Sequence, residues 1–222
     1  MATKKTKVKA KIITEDEIIG MYMDYVLEHE AVPKSIYKFC KTNKLEETDF
    51  YGFFGSVEGI QKAIWVKFYT NTEALLLENK EYEGFSNKDK MLSFFYTFFE
   101  MLTLNRSYVL FTLREDRGMM KNLKQLKGLR SHIKGFATDL IDDGNAYKNS
   151  KITQHNPTIF SEGAWLQFLF VLKFWMNDAS PAFEKTDIVI EKSINTIFDV
   201  FDNTPLENII DLGKFLYKET FA

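Results

Sequence analysis

The residues able to do covalent or metal chemistry are few and scattered. His29, His132 and His155 stand far apart, without H-E-x-x-H or any other metal-ligand spacing, so each reads as a surface or interhelix histidine. The single Cys40 excludes an intramolecular disulfide and a cysteine-based zinc site, and it suits a reducing cytoplasm. No glycine-rich phosphate loop or nucleophile elbow is present. Glu162 and Asp178 flank an apolar run, but carboxylates at helix ends need no catalytic role. No catalytic residues, metal site or cofactor are therefore expected, and the chain does not read as an enzyme.

What remains is the chemistry of binding. Lys34, Lys38, Lys41 and Lys44 can line one side of a short helix, and Lys4, Lys5, Lys7, Lys9 and Lys11 form a basic arm suited to a polyanion. Arg106, Arg114 and Arg117 cluster in mid-chain; they can pair with an anionic head group or with neighbouring carboxylates. The 21 Phe, 10 Tyr and 3 Trp are a heavy aromatic load, which fills cores and also builds apolar pockets and interfaces.

The elements that must position these residues are helical. Hydrophobic residues make up 45% of the 222 and charged residues 27%, enough apolar material for a packed core and against global disorder. Thr14 to Glu17 reads as a capping box opening a helix whose apolar face carries Ile18, Met21, Tyr22, Tyr25 and Val26 and which stops near Glu30. Pro33 suits the first turn of a second helix with Ile36, Phe39 and Cys40, ending around Asn43 and Lys44. A third runs from about Glu46 to Phe54, and Ser56 caps a longer one carrying Ile60, Ile64, Trp65, Phe68 and Leu75.

Further along, Ser86 to Asp89 starts a greasy helix over Met91–Leu104, interrupted at Asn105-Arg106-Ser107, and another begins near Tyr108. Met119 to Leu140 is helix-like, Gly144 to Pro157 is the clearest loop, and Ser161-Glu162-Gly163 leads into Ala164–Met176. That segment is apolar nearly all round and should be buried on most sides. A break at Asp178 to Pro181 precedes a helix with Ile190, Ile194, Ile197, Phe198 and Phe201, and Thr204-Pro205-Leu206-Glu207 opens a last one. No segment alternates long enough for a strand. The fold class is all-α. Met91–Leu104 and Ala164–Met176 fall short of the roughly 20 apolar residues a transmembrane helix needs, and no apolar segment follows the basic arm as in a secretory signal. A cytoplasmic protein is expected.

The run Tyr51-Gly52-Phe53-Phe54-Gly55-Ser56-Val57-Glu58-Gly59-Ile60 resembles the Y-x-x-F-x-S-x-E-x-L pattern of TetR-family repressors, at the end of the recognition helix and the start of helix four. Upstream, Lys34 to Cys40 resembles the family's second helix, and Leu45 stands where its turn places an apolar residue. The resemblance covers about the first 65 residues. It implies an N-terminal three-helix helix-turn-helix domain over residues 1–65 and a C-terminal ligand-binding and dimerisation domain over 66–222. It also implies DNA-binding roles. Lys34, Ser35 and Lys38 would lie at or near the backbone-contacting start of helix two, Thr48 and Asp49 would face the major groove, and Tyr51 would touch phosphate.

Several positions depart from that pattern. The third helix begins Glu46-Glu47-Thr48-Asp49, three carboxylates where a polyanion would lie; they read either as helix caps or as an obstacle to DNA. Val57 replaces the family's frequent lysine. Between residues 13 and 65 stand five lysines (34, 38, 41, 44, 62) and ten acids (15, 16, 17, 24, 28, 30, 46, 47, 49, 58), and no arginine precedes Arg106. DNA affinity rests on neutralising phosphates, and arginine makes the commonest specific base contact.

In repressors of this kind the second domain usually holds a small apolar molecule. Phe94, Phe95, Phe98, Met101, Tyr108, Phe111, Trp165, Phe168 and Phe174 are the candidates to line such a site, or else to form the core. Ala164–Met176 and Ile188–Phe201 are the helices expected to pair two subunits in a homodimer. Two functions follow: a DNA-binding transcriptional regulator that senses a small apolar ligand, or a TetR-fold protein that has lost DNA binding and binds a lipid, an isoprenoid or a partner protein.

Overall fold

Thr14 sets the chain's first helix. Its Oγ1 accepts from the Glu17 backbone N–H at 3.2 Å while Glu17 Oε2 accepts from the Thr14 N–H at 3.0 Å, a reciprocal capping box that opens α1 (Glu15–His29). The computed structural model describes residues 13–114, 123–146 and 156–203; the basic arm, Arg117, His155 and the Thr204–Glu207 helix start lie outside them. α1 stops at Glu30, whose left-handed φ of 47° turns the chain out of the helix.

α2 (Ile36–Thr42) is capped by Ser35, whose Oγ accepts from the Lys38 N–H at 3.3 Å. Pro33, expected in its first turn, is instead buried in the connection: Ser35 takes the extended cap conformation, so the helix starts at Ile36, three residues later. A turn through Lys44 (φ 56°) leads to α3 (Glu47–Phe53), with Leu45 partly buried against the core. Ile18, Tyr22 and Val26 of α1, Phe39 and Cys40 of α2, Phe50 of α3 and the following Phe54 are all buried. Phe39 makes edge contacts with Tyr22 and Phe50, each at 6.0 Å, so one ring ties the three helices together.

α4 (Val57–Glu78) starts where Ser56 Oγ accepts from the Gly59 N–H at 3.1 Å and runs without interruption through residue 65. Its first half buries Ile60 and Ile64, and its second half Phe68, Tyr69, Thr72 and Leu76. Trp65 between them is fully buried, and its Nε1 donates to Gln125 Oε1 at 3.0 Å. α5 (Asn87–Leu104) is capped by Ser86, and α6 (Arg106–Arg114) follows directly after Asn105, two residues before the expected start at Tyr108.

A 3-10 turn over Leu123–Leu126 runs into α7 (Lys127–Ala146), which crosses α4 closely: a Cβ on Gly128 would meet Val66 Cγ2 at 2.8 Å. α7 extends to Ala146, into the expected loop; residues 147–155 of that loop are outside the description.

α8 (Pro157–Asn177) begins earlier than the Ala164 start expected. Asn156 Oδ1 accepts from the Thr158 N–H at 3.0 Å and Pro157 occupies the first turn, so Ser161, Glu162 and Gly163 are helical. Nor is this helix buried on most sides. Phe160, Ala164, Phe168, Val171 and Trp175 are covered, but Leu166 and Phe170 are 62% and 58% exposed. Asp178–Ser180 and a 3-10 turn at Pro181–Phe183 break the chain before α9 (Glu184–Asn203).

α4, α5, α7, α8 and α9 form the larger helical layer, with α7 on both α4 and α8 and α9 across α5 and α8, while α6 connects α5 to α1. Among the described residues there is no strand, and the protein is all-α. No described helix is long and apolar enough to cross a membrane.

Candidate nucleic-acid interface and effector core

The short helices α2 and α3 pack on each other and send most of their polar side chains to solvent. Lys34, Lys38 and Thr48 are exposed, and Tyr51 is 52% exposed with its ring edge-on to Phe50 at 5.7 Å. Ser35 is half-buried and spends its hydroxyl on capping α2. Asp49 is half-buried too, and its Oδ2 accepts from the Glu46 N–H at 3.2 Å, which gives this carboxylate a capping bond. Two further aromatics, Tyr37 and Phe53, stand 57% and 47% exposed on the same two helices, and Lys41 Nζ lies 5.8 Å from the Tyr37 ring. The negative charge of α3 is felt inside the unit. Burial pushes the Cys40 thiol up, and Glu47, Asp49 and Glu46 push it further, so this buried cysteine is held as the neutral thiol.

The nine aromatic and methionine candidates do not form one set. Phe94, Phe95, Phe98, Trp165 and Phe168 are buried together: Phe98 packs on Phe94 at 5.6 Å and on Phe168 at 5.5 Å, and Trp165 stacks on Phe168 at 5.4 Å. Met101 and Phe174 are half-buried. Tyr108 is buried elsewhere, edge-on to Tyr22 of α1 at 6.4 Å, and so links α6 to the N-terminal unit. Phe111, half-buried, lines an open groove of about 580 Å³ with Leu27, Glu30 and Ser107, between the end of α1 and α6.

The arginines serve backbone and carboxylate partners. Arg106 donates to the carbonyls of Trp175 at 3.0 Å and Asp178 at 3.2 Å, and its guanidinium lies 4.4 Å from the ring centres of both Trp175 and Phe183. Arg114 donates to Met176 O at 2.8 Å. These carbonyls lie at the C-terminal end of α8, where the negative end of the helix dipole favours cations. Burial, then the Arg114 charge, hold the Arg106 pKa below its ordinary value, against the raising effect of Asp178. Arg130 and Lys134 both pair with Glu162, at 2.9 and 2.6 Å. Sequence spacing does not reveal the Arg106 site, because its partners lie some seventy residues away with no local period to mark them.

Asp178 is buried at the break before α9. Its Oδ1 accepts from Ser180 N (2.8 Å) and Oγ (2.7 Å), and its Oδ2 from Thr186 N (3.0 Å) and Oγ1 (2.7 Å). Burial alone would raise its pKa, but these four hydrogen bonds outweigh it and hold the carboxyl at about 2. Of the histidines, His29 stacks on Tyr25 at 4.0 Å and His132 on Tyr69 at 4.7 Å. Among the described residues no group of three or more His, Cys, Asp or Glu is placed to hold a metal ion.

Three short helices set on a larger helical layer, with polar side chains presented by α2 and α3 and an aromatic core behind them, define an all-α protein. A family model described as a tetracyclin repressor-like C-terminal domain matches residues 90–216, more than half of the chain, and the chain belongs to this TetR family of regulators. No curated protein and no solved structure matches it.

Proposed function

We propose that the protein is a DNA-binding transcriptional regulator that works as a cytoplasmic homodimer and senses a small apolar ligand, with no enzymatic activity. The observation that carries this reading is the α2–α3 unit, which exposes Lys34, Lys38, Thr48 and Tyr51 in a chain whose residues 90–216 match the repressor-like domain. Residues 1–65 form its DNA-reading domain, and residues 66–222 its sensing and pairing domain. Thr48 and Asp49 face the groove, while Lys34, Ser35, Lys38 and Tyr51 grip the backbone.

The ligand enters among Phe94, Phe95, Phe98, Trp165 and Phe168; Tyr108 and Phe111 lie apart from this cluster, toward α1. Because Tyr108 of α6 packs on Tyr22 of α1, a shift of α6 tilts the DNA-reading unit, and ligand and DNA then oppose each other by linkage. The exposed Leu166 and Phe170 of α8 supply apolar surface for pairing two subunits.

A second reading is favoured by one observation. Glu46, Glu47 and Asp49 crowd the start of α3, and their joint charge reaches Cys40. A unit so acidic suits a TetR-fold protein that has lost DNA binding and handles a lipid, an isoprenoid or a protein partner. Selection of genomic fragments on the purified full-length protein separates the two. Recurrent recovery of one sequence supports the regulator, and recovery of no sequence above background, together with an extracted lipid, supports the second.

A further inference from the structure

The turn that joins α2 to α3 holds a lysine where the backbone favours glycine. Lys44 has a left-handed φ of 56° and follows Asn43, the C-cap of α2. The Leu45 N–H donates to the Cys40 carbonyl at 2.9 Å and the Lys44 N–H to the Lys41 carbonyl at 3.4 Å, the double closure of a helix that ends in a left-handed residue. A Cβ in that conformation crowds the following carbonyl, so glycine adopts it without strain and lysine does not. Leu45 completes the turn by packing on the core. The Lys44 side chain takes no part in this closure. It is exposed, and among the described residues it makes no hydrogen bond or ion pair, although Glu46 and Glu47 are two and three residues away.

Two more lysines continue the charge. Lys38 and Lys41 stand three residues apart on the solvent face of α2, and Lys44 follows after three more. Residues three apart on a helix are neighbours, about 5–6 Å between Cβ atoms. Lys41 Nζ lies 5.8 Å from the Tyr37 ring, and none of the three lysines pairs with a carboxylate among the described residues. α3 carries the opposite sign. It begins with Glu46, Glu47 and Asp49 and contains no lysine or arginine, and Asp49 Oδ2 accepts from the Glu46 N–H at 3.2 Å. The positive charge of the unit therefore lies on α2 and in the turn, away from the helix that would enter the groove.

We propose that Lys44 is a DNA-backbone contact, and that Lys38, Lys41 and Lys44 together grip the phosphates that the acidic start of α3 repels. The lysine occupies a glycine position at the expense of backbone strain because its charge acts on a partner outside the chain. The inference rests on the DNA-binding reading above and extends the backbone grip from α2 into the turn. A phosphate contact carries no sequence information, so Lys44 strengthens binding to every duplex alike.

Binding of the full-length protein to a duplex from its own upstream region and to a scrambled duplex, followed by anisotropy across a salt series, tests this with Lys44→Gly, Lys44→Gln and Lys44→Arg. Lys173→Gln, at an exposed position on α8, is the control for net charge. Lys44→Gly and Lys44→Gln are expected to weaken binding to both duplexes by the same factor, about threefold or more at low salt, and to reduce the salt slope by about one. Lys44→Arg and Lys173→Gln are expected to bind like wild type. Thermal melts add a readout that needs no DNA: Lys44→Gly should melt no lower than wild type, since the turn accepts glycine without strain. A Lys44→Gly that melts clearly lower overturns the assignment, because the lysine then serves the fold. A Lys44→Gln that binds as tightly as wild type, or loses no more than Lys173→Gln, also overturns it and leaves the regulator reading standing. A wild type that binds neither duplex at low salt overturns both.

Discussion

The guanidinium of Arg106 lies 4.4 Å from the centre of the Trp175 ring and donates to the carbonyl of that same tryptophan at 3.0 Å. The first residue of α6 thereby caps the last turn of α8, and Trp175 Nε1 in turn donates to Thr103 Oγ1 of α5 at 3.0 Å. Three helices converge on one ring. Lysine reproduces the charge but not the planar fork or the stacking. Arg106→Lys is therefore expected to lower the stability of the folded protein by about 1.5–3 kcal/mol, the range for hydrogen bonds to a charged group, as measured by urea denaturation. A variant as stable as wild type would mean that the cap is dispensable.

Asp178 gives a pH dependence of known sign. Its folded pKa of about 2 lies below the ordinary carboxylate value, so its stabilisation is complete above about pH 4 and is lost as pH falls toward 2. The stability at stake is about 2 kcal/mol. Asp178→Asn, which cannot accept all four hydrogen bonds, is expected to be less stable at pH 7 and to show a flatter decline between pH 4 and 2, by thermal melts at successive pH values. An unchanged slope would show that other carboxylates govern acid unfolding.

The two roles of the α3 carboxylates separate by mutation. Asp49→Ala removes the bond from the Glu46 N–H and is expected to destabilise the protein by about 1 kcal/mol. Glu47→Gln leaves that bond in place and lowers the negative charge, so it should tighten DNA binding several-fold at low salt with little change in melting temperature. Lys38→Ala should weaken binding to all sequences alike and reduce the salt slope by about one. If Glu47→Gln leaves DNA affinity untouched, α3 does not face DNA.

Phe98 distinguishes a core from a ligand site. It is fully buried against Phe94, Phe99 and Phe168, so Phe98→Ala is expected to cost about 3–5 kcal/mol. An apolar effector at a hundred times its dissociation constant should add about 2.7 kcal/mol to the wild type. If the effector enters among these rings, Phe98→Ala should lose that gain in a thermal-shift series. An effector that stabilises both equally binds elsewhere.

Local signals made much of this fold legible. Thr14 with Glu17, Ser56 before Gly59 and Ser86 before Asp89 each cap the helix their sequence announces, because a cap is a contact within three residues. Pro33 misled because two residues compete to start α2 and the nearer hydroxyl, Ser35, wins. The early start of α8 was missed because Gly163 and its polar neighbours read as a lead-in, whereas Asn156 and Pro157 had already begun the helix. The exposure of Leu166 and Phe170, the burial of Gln167 and the seat of Arg106 depend on which helices lie alongside, and no local pattern contains that information. The aromatic candidates were legible as interior residues but not as a group, since Tyr108 and Phe111 turn toward α1 while Phe98 and Phe168 turn toward each other.

The most direct test of the regulator reading is fluorescence anisotropy of the full-length protein on duplex DNA from its own upstream region, against a scrambled duplex of equal length, across a salt series. The reading predicts sub-micromolar binding that prefers the native sequence and weakens steeply with salt. Binding no tighter than to the scrambled duplex, persisting when genome-derived fragments are tried, would contradict it and leave the acidic α3 as the surface of a protein that binds something other than DNA.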